Sequence, residues 1–71
     1  MDILIFRTNI NSKRDYLVVK ATLANKFGIA EISIDFEDCD KVLRVISKNS
    51  SPESITNEVQ ILSFFCEELE D

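Results

Sequence analysis

Tyr16-Leu17-Val18-Val19-Lys20-Ala21-Thr22-Leu23-Ala24-Asn25-Lys26-Phe27-Gly28, followed by Glu31-Ile32-Ser33-Ile34-Asp35-Phe36, carries a change of hydrophobic period that decides the fold. In the first segment Tyr16, Val19, Leu23 and Phe27 recur at steps of three and four, with Leu17, Ala21 and Ala24 beside them, which predicts a helix with one apolar stripe and with Lys20 and Asn25 in water. Gly28 ends it, because glycine enters the left-handed region without a steric cost. In the second segment Ile32, Ile34 and Phe36 alternate with Glu31, Ser33, Asp35 and Glu37, the pattern of a strand with one buried and one wet face.

Working outward, Ile3 to Phe6 opens a first strand expected to run through Arg7 and Thr8 to Ile10. Ser12 and Asp15, three residues apart at the helix start, form a capping-box signature: the hydroxyl accepts a backbone N–H and the carboxylate reaches back to the cap. After the second strand, Glu37-Asp38-Cys39-Asp40 reads as a turn, and Lys41 to Ser47 as a third strand paired with the second in a hairpin. Asn49-Ser50-Ser51 closes it. Ser51 caps a second helix that has Pro52 at its first position, Glu53 in its first turn, and Ile55, Val59 and Leu62 inward. Ser63 to Leu69 continues that helix or breaks into a short fourth strand, and the strand is preferred. The order βαββαβ predicts an α+β, ferredoxin-like open-faced sandwich: a four-stranded antiparallel sheet, order 4-1-3-2, covered on one face by two helices.

Seventy-one residues form one domain, 1–71. Apolar residues are 45% and charged residues 30%, a globular balance and not a disordered one. The net charge of −5 gives no electrostatic footing on a phosphate backbone, so nucleic acid is not an expected partner. Residues 1–35 balance to +1 and residues 36–71 to −6, with Glu67, Glu68, Glu70 and Asp71 crowding the end, a run suited to a solvated terminus or to steering a basic partner. Ile3 to Phe6 is the longest apolar run, far short of the roughly 20 residues of a membrane span, and Asp2 replaces the basic start of a signal peptide, so a cytoplasmic protein without a membrane partner is expected.

Phe6-Arg7-Thr8-Asn9-Ile10, the helix with Val19 and Leu23, Phe27-Gly28-Ile29, Ile32-Ser33-Ile34-Asp35 and Lys41-Val42-Leu43-Arg44-Val45 resemble the heavy-metal-associated domain of small copper chaperones and metal-transporting ATPases. The likeness runs without gaps from about Ile3 to Phe36. Ile10 falls where the family has the Met of its Met-x-Cys-x-x-Cys loop, and Gly28-Ile29 falls on its Gly-Val. The resemblance implies the sandwich fold and a metal loop, but the family's two cysteine positions fall on Ser12 and Asp15. Soft Cu(I) and borderline Zn(II) bind there through thiolates, which a hydroxyl and a carboxylate do not replace. The chain therefore reads as a divergent, metallochaperone-like relative that lacks the CxxC loop and conventional metal binding, with no cofactor. Ser12 and Asp15 keep the structural half of the motif.

An alternative moves the ligands: the first loop, the hairpin and the start of the fourth strand share one end of the sheet, so Asp15, Cys39 and Cys66 form a relocated metal set. Against it, Cys39 and Cys66 belong to elements on opposite sides of a four-stranded sheet; the simpler reading has Cys39 exposed in a turn and Cys66 as a small buried hydrophobe. A different class of function comes from the uncovered face. If Leu4, Phe6, Thr8, Leu43 and Val45 face the helices, then Ile3, Ile5, Val42 and Ile46 form an outward aliphatic patch with Arg7 and Arg44, a candidate interface for a protein partner or a homodimer. Lys13 and Arg14 oppose the dipole of the helix they open, which points to an acidic partner or a phosphate there. An enzyme is not expected. The chain has no His, and Asn9 to Arg14 has no Gly, so the glycine-rich phosphate loop of acyl phosphatases, which share this topology, is absent.

Overall fold

A computed structural model describes residues 2–29, 31–48 and 50–69. Asn49, expected to help close the third strand, and Glu70 and Asp71 of the acidic run lie outside the described residues. Four strands and two helices follow in the order β1 (Asp2–Thr8), α1 (Lys13–Phe27), β2 (Glu31–Asp35), β3 (Val42–Ser47), α2 (Pro52–Ile61) and β4 (Cys66–Glu68). The strands form one antiparallel sheet of order β2-β3-β1-β4, the expected 4-1-3-2 arrangement.

Register places the alternating apolar residues on one side. Leu4 pairs with Val45 and Phe6 with Leu43 across β1 and β3, while Ile32 pairs with Val45 and Ile34 with Leu43 across β2 and β3. Their side chains meet Val19 and Leu23 of α1 and Ile55 and Val59 of α2 in the core. Phe6, Ile10, Val19, Leu23, Leu43, Val45, Ile55 and Val59 are fully buried. Truncating any of them leaves a cavity in this core.

The ends of the elements show local chemistry at work. Ser12 and Ser51 accept the N–H groups of Asp15 and Ser54 and so cap the two helices. Gly28 closes α1 at φ 65°, its N–H bonded to the Ala24 carbonyl. The turn Phe36–Lys41 is tied back to β1: Thr8 N–H donates to the Asp40 carbonyl at 3.0 Å and Thr8 Oγ1 to the Lys41 carbonyl at 2.7 Å.

Three expectations need correction. β1 stops at Thr8 rather than Ile10, because Thr8 Oγ1 also accepts from Ile10 N–H and bends the chain, though Ile10 is still delivered to the core. Lys41 is not in β3; its φ of 44° makes it the last residue of the turn. Leu17 and Ala21, expected beside the buried stripe, face outward, with Leu17 50% exposed, since the sheet and α2 cover only the arc centred on Val19 and Leu23.

Candidate functional site

The loop from β1 into α1 is where a metal-carrying domain of the resembled family would hold its ion. Here Ser12 is extended at φ −133° and its Oγ lies 3.1 Å from the Asp15 N–H that donates to it. The reciprocal bond of a full capping box, from the Ser12 N–H to the Asp15 carboxylate, is not formed, so Ser12 alone carries the cap. Asn9, Ile10, Asn11, Ser12, Lys13, Arg14 and Asp15 contain no sulfur, and the side chain of Ile10 is sealed in the core. A hydroxyl already engaged by the backbone and one carboxylate beside two cations do not fit a soft ion that selects thiolates.

The two thiols of the chain do not supply the missing ligands together. Cys66 pairs with Thr8 at the start of β4 and turns inward, 3% exposed. Burial pushes its thiol up from 9.0 to about 11, with a hydrogen bond to Thr56 pulling the other way, so it holds its proton where a ligand must lose it. Cys39 is exposed on the hairpin turn. The ligand atoms that gather within 4.8 Å of one another there are those of Asp38, Cys39 and Asp40, without Asp15 or Cys66. The Asp40 N–H donates to Asp38 Oδ1 at 2.8 Å, an Asx turn that accounts for the arrangement structurally.

The open face of the sheet carries the residues singled out as an interface. Ile3 faces Ile46 across β1 and β3, Ile5 faces Arg44, and Val42 faces Asp35 of β2. Ile3 is 53% exposed, Ile5, Val42 and Ile46 are half-buried, and Arg44 is exposed. These four aliphatic side chains therefore share one face. Arg7 is drawn aside at its margin, 3.0 Å from Glu67 and with its guanidinium 5.5 Å from the centre of the Phe65 ring. Arg44 forms no ion pair among the described residues; with Glu31, Ile32, Ser33 and Ile46 it lines a shallow groove between β2 and β3.

Several of these contacts carry no sequence signal. Arg7 with Glu67, Asn9 Oδ1 with the Phe65 N–H, and Tyr16 Oη with the Ile32 carbonyl join residues far apart in the chain. The sequence marked Glu37-Asp38-Cys39-Asp40 as a turn with Cys39 exposed, and the grouping of its three ligand atoms comes from the structure. No helix among the described residues is long and apolar enough to cross a membrane.

No protein-family model and no curated protein matches the chain. Among solved structures, the yeast copper transporter domain Ccc2A, determined in solution in the apo and Cu(I)-loaded states, superposes with a TM-score of 0.83 over 97% of this chain and 96% of that one, at 18% sequence identity. At that identity the likeness is one of fold, and it bears out the expected sandwich: the chain has the fold of a copper transporter domain, with Ser12 and Asp15 at the start of α1.

Proposed function

We propose that this chain is a metallochaperone-fold domain that has given up carriage of soft metal ions and acts through contact with other proteins, without enzymatic activity and in the cytoplasm. The observation that carries the reading is the bond from the Asp15 N–H to Ser12 Oγ. It fills the helix start with a backbone cap, in a fold that a Cu(I)-loaded domain shares over nearly its full length. What the chain offers instead is its open sheet face, which Ile3, Ile5, Val42 and Ile46 share, with Ile3 directly opposite Ile46. A relocated metal set of Asp15, Cys39 and Cys66 has no observation in its favour, since the Cys66 thiol is inside the core.

The test has two arms. In a competition for Cu(I) against a chelator, the reduced chain should form no 1:1 complex tighter than micromolar; such a complex overturns the reading. Mass in solution at several concentrations, for the native chain and for Ile5→Lys, then asks whether the partner is a second copy. A mass that rises with concentration and falls back in the variant identifies a homodimer, and a monomer throughout discards the homodimer and leaves a different protein as the partner to be sought.

A further inference from the structure

Among the described residues the order β2-β3-β1-β4 leaves one side of β2 with no neighbouring strand, and the register shows which backbone groups face that side. Leu69 N–H donates to the Ile5 carbonyl, so the odd residues of β1 bond to β4 and its even residues to β3. Leu4 with Val45 and Phe6 with Leu43 are then hydrogen-bonded pairs, and the alternation along β3 turns Val42, Arg44 and Ile46 toward Asp35, Ser33 and Glu31 of β2. That leaves the N–H and C=O groups of Ile32 and Ile34 on the outer side. Tyr16 Oη donates to the Ile32 carbonyl at 2.8 Å, consistent with this assignment, and closes one of the four. The Ile32 N–H, the Ile34 N–H and the Ile34 carbonyl have no partner among the described residues.

Side chains along this edge set the chemistry of anything that pairs with it. Glu31, Ser33 and Asp35 are exposed on the open face, and neither carboxylate joins an ion pair among the described residues. A second copy is disfavoured as the occupant. Antiparallel pairing of two β2 strands about Ser33 sets Glu31 of each copy opposite Asp35 of the other, and like charges directly opposed are destabilising. The chain's net charge of −5 adds to the repulsion.

We propose that the outer edge of β2 accepts an extended, basic segment of a partner protein as a fifth strand, with lysine or arginine side chains of that segment opposite Glu31 and Asp35. The inference rests on the contact reading above and names its partner chemistry. Main-chain bonds to Ile32 and Ile34 give the affinity, and the two carboxylates give the preference for positive charge. Tyr16 acts as a latch. Its hydroxyl competes with the incoming strand for the Ile32 carbonyl and blunts the edge while no partner is present.

The probe is a short capped peptide with two lysines flanking a Val-Thr-Val core, and the control carries glutamates at the lysine positions. Amide shifts of the intact, ¹⁵N-labelled chain should saturate with the basic peptide, centre on Ile32 and Ile34, and weaken as salt is added. Glu31→Lys with Asp35→Lys should lower the affinity on the order of ten-fold. Tyr16→Phe, checked by its spectrum to be folded, should raise it several-fold by freeing the carbonyl. Equal binding of the acidic control, or no saturable shift at Ile32 and Ile34, overturns the proposal. Shifts centred on Ile3, Ile5 and Ile46 also overturn the edge assignment while leaving a contact function in place; failure of the contact reading itself registers separately, as a tight Cu(I) complex.

Discussion

Restoring sulfur to the start of α1 should restore metal binding, and the structure sets the size of the effect. Ser12 and Asp15 are the N-cap and N3 residues, and Ser12 Oγ stands 3.1 Å from the Asp15 backbone nitrogen, so the two positions lie together at the helix N-terminus. Residues three apart at a helix approach to about 5–6 Å at Cβ, within reach of one ion held by two thiolates, and the N-terminus lowers thiol pKa. In Ser12→Cys with Asp15→Cys the oxygen cap is lost, at about 1 kcal/mol, which for a domain of this size lowers the metal-free melting temperature by roughly 4–8 °C. Cu(I) at about 100 times its dissociation constant would stabilise the variant by about 2.7 kcal/mol, more than the lost cap. The assay is thermal unfolding followed by circular dichroism under reducing, oxygen-free conditions, with and without Cu(I) delivered from a weak chelator. The variant should melt below the native chain without metal and above its own metal-free value with it, while the native chain shows no shift. A variant indifferent to Cu(I), or a native chain stabilised to the same degree, refutes the reasoning.

Other outcomes follow from the core and its margins. The buried Cys66 thiol, raised from 9.0 to about 11, is protonated in the folded state where the unfolded chain has lost its proton. Its contribution is complete below pH 9 and is lost as pH rises through 11, an amount of about 2–3 kcal/mol; Cys66→Ala should flatten the alkaline decline measured by urea unfolding from pH 8 to 11. Burial raises the Tyr16 hydroxyl in the same sense, so part of the decline should remain in that variant. In the native state iodoacetamide should modify exposed Cys39 and spare Cys66 until denaturant is added, as peptide mass mapping would show. Phe6→Ala, which empties a fully buried site between the sheet and the helices, should cost about 3–5 kcal/mol by denaturant unfolding. Glu58→Gln, which removes the 2.8 Å pair with Lys26 between the helices, should cost only about 0.2–1 kcal/mol, because Lys26 is largely in water.

The element order was legible because its signals are local. The change from a three-and-four spacing to strict alternation separates α1 from β2, and Ser12, Ser51 and Gly28 mark helix ends with side chains or backbone that act within three or four residues. Alternation also fixed which residues of β1 and β3 face outward, and so the patch of Ile3, Ile5, Val42 and Ile46. Leu17 and Ala21 were misplaced because α1 is apolar on more than one side, and spacing alone cannot say which side the sheet covers. The end of β1 was misplaced because the Thr8 hydroxyl that accepts from the Ile10 N–H and bends the chain is itself oriented by the Lys41 carbonyl, 33 residues away. Distance in the chain likewise hid the Tyr16 bond to Ile32 and the pairing of Arg7 with Glu67, on which the edge and the face depend.

The departure at the helix start was readable as two residue identities, and the structure adds what they do: the hydroxyl is committed to the Asp15 N–H. Contact in place of carriage is the claim that follows, and it is most directly tested by adding one equivalent of Cu(I) to the reduced, ¹⁵N-labelled native chain and following the amides from Asn9 to Asp15 together with that of Cys39. The account predicts that these signals stay where they are; a stoichiometric shift localised to either group would contradict it.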